Sequence, residues 1–211
     1  GQWAETLRLF DAYLHDIDDG VCGEKVLTYY TLGEERWKQT SVWPPQGTAM
    51  QRWYLDAGHT LSASLPADES GTDTYAVDFQ ASTGDRNRWW EMGPAHRQTV
   101  VYAKRAEAAR HLLTYTTPPL PEDTEIAGHA VVTLHVASTE PDCAFYVYLE
   151  DVDERGRVTY ITEGQLRSIH RKVSAEPPPY RLQVPYHSFK EADAMPLVPG
   201  ELAEITFGLL P

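Results

Sequence analysis

From Val26 onward the chain is cut into short runs of β-branched and aromatic residues by clusters of Gly, Pro, Asp and Asn, and the runs alternate with a period of two. Alternation of this kind puts every other side chain on one face of an extended strand. A chain so patterned must pair its runs into sheets and bury one face of each. In Thr74 to Phe79, the apolar Tyr75, Val77 and Phe79 alternate with Ala76 and Asp78. In Val131 to Val136, Val132, Leu134 and Val136 face one way, while Thr133 and His135 face the other. Phe145, Val147 and Leu149 point inward, with Tyr146 and Tyr148 outward; Ala203, Ile205 and Phe207 alternate with Glu204 and Thr206. Between two of these runs, Asp151-Val-Asp-Glu-Arg-Gly156 predicts a hairpin that returns through Val158 to Ile161, with Gly156 supplying a positive φ. Loops are long and Pro-bearing, as at Trp43 to Gly47, Thr116 to Pro121 and Glu176 to Pro179. No repeat of fixed period appears, which disfavours propellers and solenoids. The expected fold is mainly β, an antiparallel sandwich.

Two helical signals interrupt this pattern. Trp3, Leu7, Phe10, Leu14 and Ile17 fall on one stripe of an α-helix, with Asp18-Asp19-Gly20 as its stop. A single amphipathic helix ahead of a β-rich chain has little within its own sequence to cover that stripe, so a neighbouring domain is expected against it. Lys104 to Arg110 is rich in Ala and charge and fits one short helical turn.

Composition removes several classes of function. The formal charge of -13 argues against binding a phosphate backbone, so nucleic acid is not an expected partner. Apolar runs are only a few residues long, against the roughly 20 that span a bilayer, so no membrane partner is expected. No basic region followed by an apolar core opens the sequence. Cys22 and Cys143 lie in no CxxC pair and read as two idle thiols, which favours a reducing, cytoplasmic location.

A search for chemistry finds few candidates. No Ser sits between glycines two residues away on each side, the setting that a nucleophile elbow needs, so no catalytic residue is assigned. His129 and His135 share a strand face but stand roughly 20 Å apart at the rise of an extended strand, too far to share one metal ion. His59 and His96 sit in turn-like contexts. Asp151, Asp153 and Gly156 match three positions of a calcium loop, but Arg155 and Thr162 occupy positions that need an oxygen ligand and a bidentate Glu. No metal or other cofactor is expected.

The most suggestive cluster is the loop Thr83 to Pro94, which holds Arg88, Trp89 and Trp90. Adjacent residues in an extended segment point to opposite sides, so at most one of the two Trp enters the domain's own core cleanly. The other fits a substrate-pocket rim or an interdomain interface, ordinary packing, or a platform for a sugar ring.

The stretch LTYTTPPLPEDTEIAG, Leu113 to Gly128, is followed by VVTLHVAST and DCAFYVYLEDVDERG. Later come Gly164-Gln165-Leu166-Arg167 and Leu197-Val198-Pro199-Gly200. In order and spacing these pieces resemble the C-terminal jelly-roll domain of the X-Pro dipeptidyl-peptidase and cocaine-esterase-like (CocE/NonD) α/β-hydrolases. WAETLRLFDAYLHDIDDGV resembles the last helix of the hydrolase domain in that family. The resemblance implies that residues 1–22 are the terminal helix and linker of an α/β-hydrolase domain, and that 23–211 form a jelly-roll sandwich that continues beyond Pro211. It also implies that the serine-hydrolase triad lies upstream of this region. The expected function is then non-catalytic: the sandwich buttresses the parent hydrolase domain, its main partner, and one loop walls the acyl pocket. A carbohydrate-binding module is the alternative from another class, and an open sheet edge leaves self-association into a homo-oligomer open.

Overall fold

A computed structural model describes residues 2–68, 70–84, 87–89, 102 and 104–210. Among them the fold is mainly β, and its eight strands form four antiparallel pairs. The chain divides into two compact units, residues 1–50 with 123–128, and residues 51–122 with 129–211.

The first unit opens with helix α1, Gln2–Leu14. It ends earlier than the Asp18-Asp19-Gly20 signal predicts, because Asp16 already takes a left-handed φ of 53° and the Ile17 amide turns back to the Asp11 carbonyl at 3.1 Å. Gly20, with φ 86°, instead starts a short 3-10 turn at Val21–Gly23. Arg8 ties helix to turn through ion pairs to Glu5, Asp19 and Glu24 at 3.0, 3.0 and 2.6 Å. The apolar stripe has the predicted spacing and is exposed along its length, from Trp3 at 83% to Ile17 at 52%. Strands β1 (Leu27–Thr31) and β2 (Arg36–Thr40) then pair, Tyr29 opposite Lys38. Residues 123–128 return to this pair. Glu125 accepts from the Tyr29 hydroxyl at 3.3 Å and from Lys38 at 2.6 Å. Gly128, at φ 132°, lies so near the Pro44 ring that an added Cβ would be 3.3 Å from it.

The second unit holds β3 (Tyr54–Asp56) paired with β4 (Thr60–Ser62), the one-turn helix α2 (Arg105–Ala108), and two longer pairs. Strand β5 (Val131–Val136) pairs with β8 (Ala203–Gly208). Strand β6 (Ala144–Val152) pairs with β7 (Val158–Arg167). Leu166, Ile205, Phe207 and Leu209 are buried together, and Val132, Leu134, Val136, Phe145, Val147 and Leu149 pack against them. The alternation read from the sequence thus assigns the core faces of β5, β6 and β8 correctly. Both pairs contribute to one core, which is the arrangement of a sandwich. The residues after β8 tie the layers: the Leu209 amide donates to the Ala130 carbonyl at 2.9 Å and the Leu210 amide to the Glu163 carbonyl at 2.7 Å.

The run Thr74 to Phe79 is not a strand. Its polar groups are held by the segment after α2 rather than by a neighbouring strand. The Tyr75 hydroxyl donates to the His111 carbonyl at 3.0 Å, the Asp78 carboxylate lies 2.7 Å from His111 Nδ1, and Phe79 is left exposed. The β6–β7 turn is the predicted hairpin, with Gly156 at φ 74°. Asp153 Oδ1 accepts from the amides of Arg155 and Arg157 at 2.9 and 2.8 Å, so this carboxylate is engaged by the turn itself.

At the far end of the same pair Asp142 joins the strands. Its carboxylate accepts from the Ser168 hydroxyl at 3.0 Å, from Arg167 Nε at 2.6 Å and from the Ile169 amide at 3.3 Å. Burial alone would raise the Asp142 pKa, but the Ser168, Arg167 and Ile169 donors outweigh it and hold the carboxyl below the usual carboxylate range.

Two predictions follow from this packing. An added Cβ at Gly164 would stand 2.6 Å from Leu209 Cδ2 and 2.8 Å from the Gly208 carbonyl oxygen. In chemical denaturation Gly164→Ala therefore loses about 1–3 kcal/mol to overpacking. Gly71→Ala meets nothing within 4 Å and stays within about 0.5 kcal/mol of the parent. Because its native pKa is lowered, Asp142 contributes stability that is complete above its unfolded value of about 4 and is lost as pH falls through the native value. Thermal melts from pH 6 to pH 2 detect this as an acid-side loss that Asp142→Asn flattens.

Candidate functional site

The face of β6–β7 turned away from the core carries the site. Pairing places Tyr148 opposite Glu163 and Tyr146 opposite Gln165, so all four side chains share that face. A bulge at Leu149/Glu150 sets this register. Thr162 pairs with Leu149 and Tyr160 with Glu150, which leaves Ile161 as the extra residue on β7. Without that extra residue Glu163 would fall on the core face.

The sequence reading takes Tyr146 and Tyr148 as outward, and Tyr146 is indeed exposed at 59%. Tyr148 is covered. The guanidinium of Arg105 on α2 lies 4.5 Å from its ring centroid and pairs with Glu150 at 2.5 Å. Arg105 is itself only 3% exposed, a buried charge with its counter-ion in place. Burial and then the neighbouring Glu163 carboxylate push the Tyr148 phenol above its ordinary pKa.

Residues 83, 84 and 87–89 supply the opposite wall. Asn87 Nδ2 donates to Thr83 Oγ1 at 2.8 Å and to the Gly84 carbonyl at 3.1 Å, while its Oδ1 accepts from the Trp89 amide at 3.0 Å. The Arg88 amide donates to the Tyr102 hydroxyl at 2.8 Å, and the Tyr102 ring stacks on Tyr160 with centroids 3.7 Å apart. These bonds aim the Trp89 indole inward, where Nε1 donates to Glu163 Oε1 at 2.9 Å. Glu163 is 4% exposed. Thr83, Asn87, Trp89, Tyr146, Tyr148, Glu163 and Gln165 together line a cleft of about 330 Å³. Among the described residues no cluster of three or more His, Cys, Asp or Glu is placed to hold a metal ion.

Of the three residues singled out in the sequence, Trp89 is in this cleft and Arg88 anchors the loop beside it. Trp90 and His96 lie outside the described residues. The alternation of β6 places Tyr148 on this face but does not single it out for the site, and Glu163 is missed. The signal for Glu163 is the parity of β7, and the bulge hides it.

A mainly β domain that carries an aromatic and acidic cleft on one sheet face is the class that the fold and the site define. The chain belongs to the family of X-Pro dipeptidyl-peptidase C-terminal non-catalytic domains, which it matches over residues 20–211. It is 49% identical over 207 residues to the Mycobacterium bovis protein named "Putative serine esterase", covering 98% of this chain and 33% of that protein. The cocaine esterase of Rhodococcus sp. is 26% identical over 198 residues, covering 83% of this chain and 32% of the relative. The chain thus spans about a third of the length of these relatives. Among solved structures, an α-amino acid ester hydrolase superposes with a TM-score of 0.60 at 23% identity, over 95% of this chain and 33% of that one, and so shares its fold. Among the described residues no helix is long and apolar enough to cross a membrane.

The Trp89–Glu163 bond generates a prediction. Trp89→Phe keeps the ring but removes the N–H that the buried carboxylate accepts, and should cost about 1–3 kcal/mol. In a Glu163→Gln background, where no charge is stranded, the same change costs less. Equal losses in both backgrounds on urea titration would show that the bond contributes nothing.

Proposed function

We propose that this chain is the C-terminal domain of a longer serine hydrolase of the acyl-esterase type, that it buttresses the catalytic domain, and that the loop carrying Arg88, Trp89 and Trp90 walls the acyl pocket. The observation that carries the reading is the 49% identity to a protein named as a serine esterase, of which this chain matches only a third. Two features of the chain support it. The stripe of Trp3, Leu7, Phe10, Leu14 and Ile17 on α1 is apolar and exposed, the surface that a neighbouring domain would cover. In this reading residues 1–22 pack as an extension of that domain. The Trp89 loop is the second feature. It is braced from below by Tyr102 and Glu163, so it presents a fixed indole rather than a mobile one, and a pocket wall needs that rigidity.

Catalysis in such an enzyme requires a nucleophile, a base and an oxyanion hole, all of which the reading assigns to the longer protein's other part. The role left to this chain is shape and support: a rigid aromatic wall that selects acyl groups by fit, and a broad apolar contact that holds the wall in position.

Kinetics in the longer protein test this. Replacing Trp89 and Trp90 with Ala should raise KM or shift acyl-chain preference by roughly tenfold, on the scale of one to two buried methylenes, while the melting temperature of the catalytic domain stays put. An unchanged acyl profile would remove the pocket-wall role. The isolated 211-residue chain should show no turnover of a chromogenic ester that a serine-directed inhibitor abolishes.

A further inference from the structure

We propose that the cleft on the outer face of β6–β7 binds an organic ammonium group, seated between the Glu163 carboxylate and the rings of Trp89 and Tyr146. The inference goes beyond the acyl-pocket reading and does not rest on it, since it concerns what this cleft recognises.

A carboxylate that is 4% exposed has little water around it and takes hydrogen bonds or an opposite charge in place of water. Glu163 receives the indole N–H of Trp89, a neutral donor, at 2.9 Å. Among the described residues that line the cleft there is no Lys or Arg. Arg105 is committed to Glu150 at 2.5 Å and occupies one face of Tyr148 at 4.5 Å, which bars that face to a second cation. Among the described residues that line the cleft, two other rings are accessible, Trp89 at 42% and Tyr146 at 59% exposure. A carboxylate beside open aromatic faces suits an alkylammonium ion, which gains a charge-assisted hydrogen bond and cation–π attraction at once. Thr83 and Gln165 add oxygen acceptors to the lining. The cleft volume of about 330 Å³ sits at the small end of ligand sites and fits an ammonium with one compact apolar substituent. An anion would meet the Glu163 charge, and a neutral polyol would leave that charge without a stronger partner.

The register makes this a built arrangement. The extra residue at Ile161 turns Glu163 onto the ring-bearing face.

The test is titration of the 211-residue chain, followed by Trp fluorescence and calorimetry at neutral pH, with benzylammonium, tetramethylammonium and benzyl alcohol. Saturable binding of benzylammonium about tenfold or more tighter than of the isosteric alcohol is expected, as for a charge-assisted contact. Glu163→Gln, whose amide oxygen still accepts from Trp89, should reduce benzylammonium to the level of the alcohol. Tyr146→Ala, at an exposed position, should weaken both cations severalfold. Equal binding of amine and alcohol, absence of saturable binding, or undiminished amine binding by folded Glu163→Gln overturns the proposal. Should Glu163→Gln not fold, the amine-to-alcohol ratio in the parent and in Tyr146→Ala decides. Because the readout is binding to this chain, its failure is separate from an unchanged acyl profile in the longer enzyme.

Discussion

The near-contact of β7 with the end of β8 at Gly164 is the constraint on which the second unit turns. A strand position without a side chain lets Leu209 and the Gly208 carbonyl sit directly against the β7 backbone. Ile205 and Phe207 thereby come under Leu166 and close the core. That closeness also lets the Leu210 amide bond to the Glu163 carbonyl, and the Thr162 hydroxyl to the Leu210 carbonyl at 2.6 Å. Residues 162–164 thus have their backbone fixed from the core side. Fixing the backbone of Glu163 fixes the direction of its carboxylate on the other side. Packing and site are two faces of one short stretch of strand.

Much of this was legible in the sequence, and the failures have physical causes. The core faces of β5, β6 and β8 follow from alternation because each strand buries one side only. The hairpin follows from Gly156 and the Asp153 turn. Alternation in Thr74 to Phe79 misleads because pattern alone does not supply a partner strand, and here the polar groups of Tyr75 and Asp78 find His111 instead. The helix stop misplaces by several residues because Asp16 adopts the left-handed conformation that Gly20 was expected to provide. Glu163 was invisible for a sharper reason. Counting back from the hairpin without a bulge puts it opposite Val147 and into the core, where a carboxylate has no place; one extra residue reverses its side. The Trp89 loop could be singled out from two adjacent indoles, but not its hydrogen-bond partner.

The family assignment and the geometry divide the question of function between them. Membership says that the chain is a non-catalytic part of hydrolase architecture. The geometry describes one face of that part: an indole held at its amide by Asn87 and at its ring nitrogen by Glu163, over a face whose tyrosines are graded from exposed to covered. Rigidity at that wall comes from polar contacts along the loop, not from burial of the indole, which remains partly open to solvent.

Segment 123–128 has one more implication. It belongs with the first unit through Glu125, Tyr29 and Lys38, although the residues on both sides of it belong to the second. The polypeptide therefore passes between the units three times. No single cut separates them: a fragment starting at residue 51 would carry Glu125 without either partner, and one ending at residue 50 would lack the carboxylate that Lys38 and Tyr29 share. For this chain the smallest piece that can be moved into another protein with its contacts intact is larger than either unit.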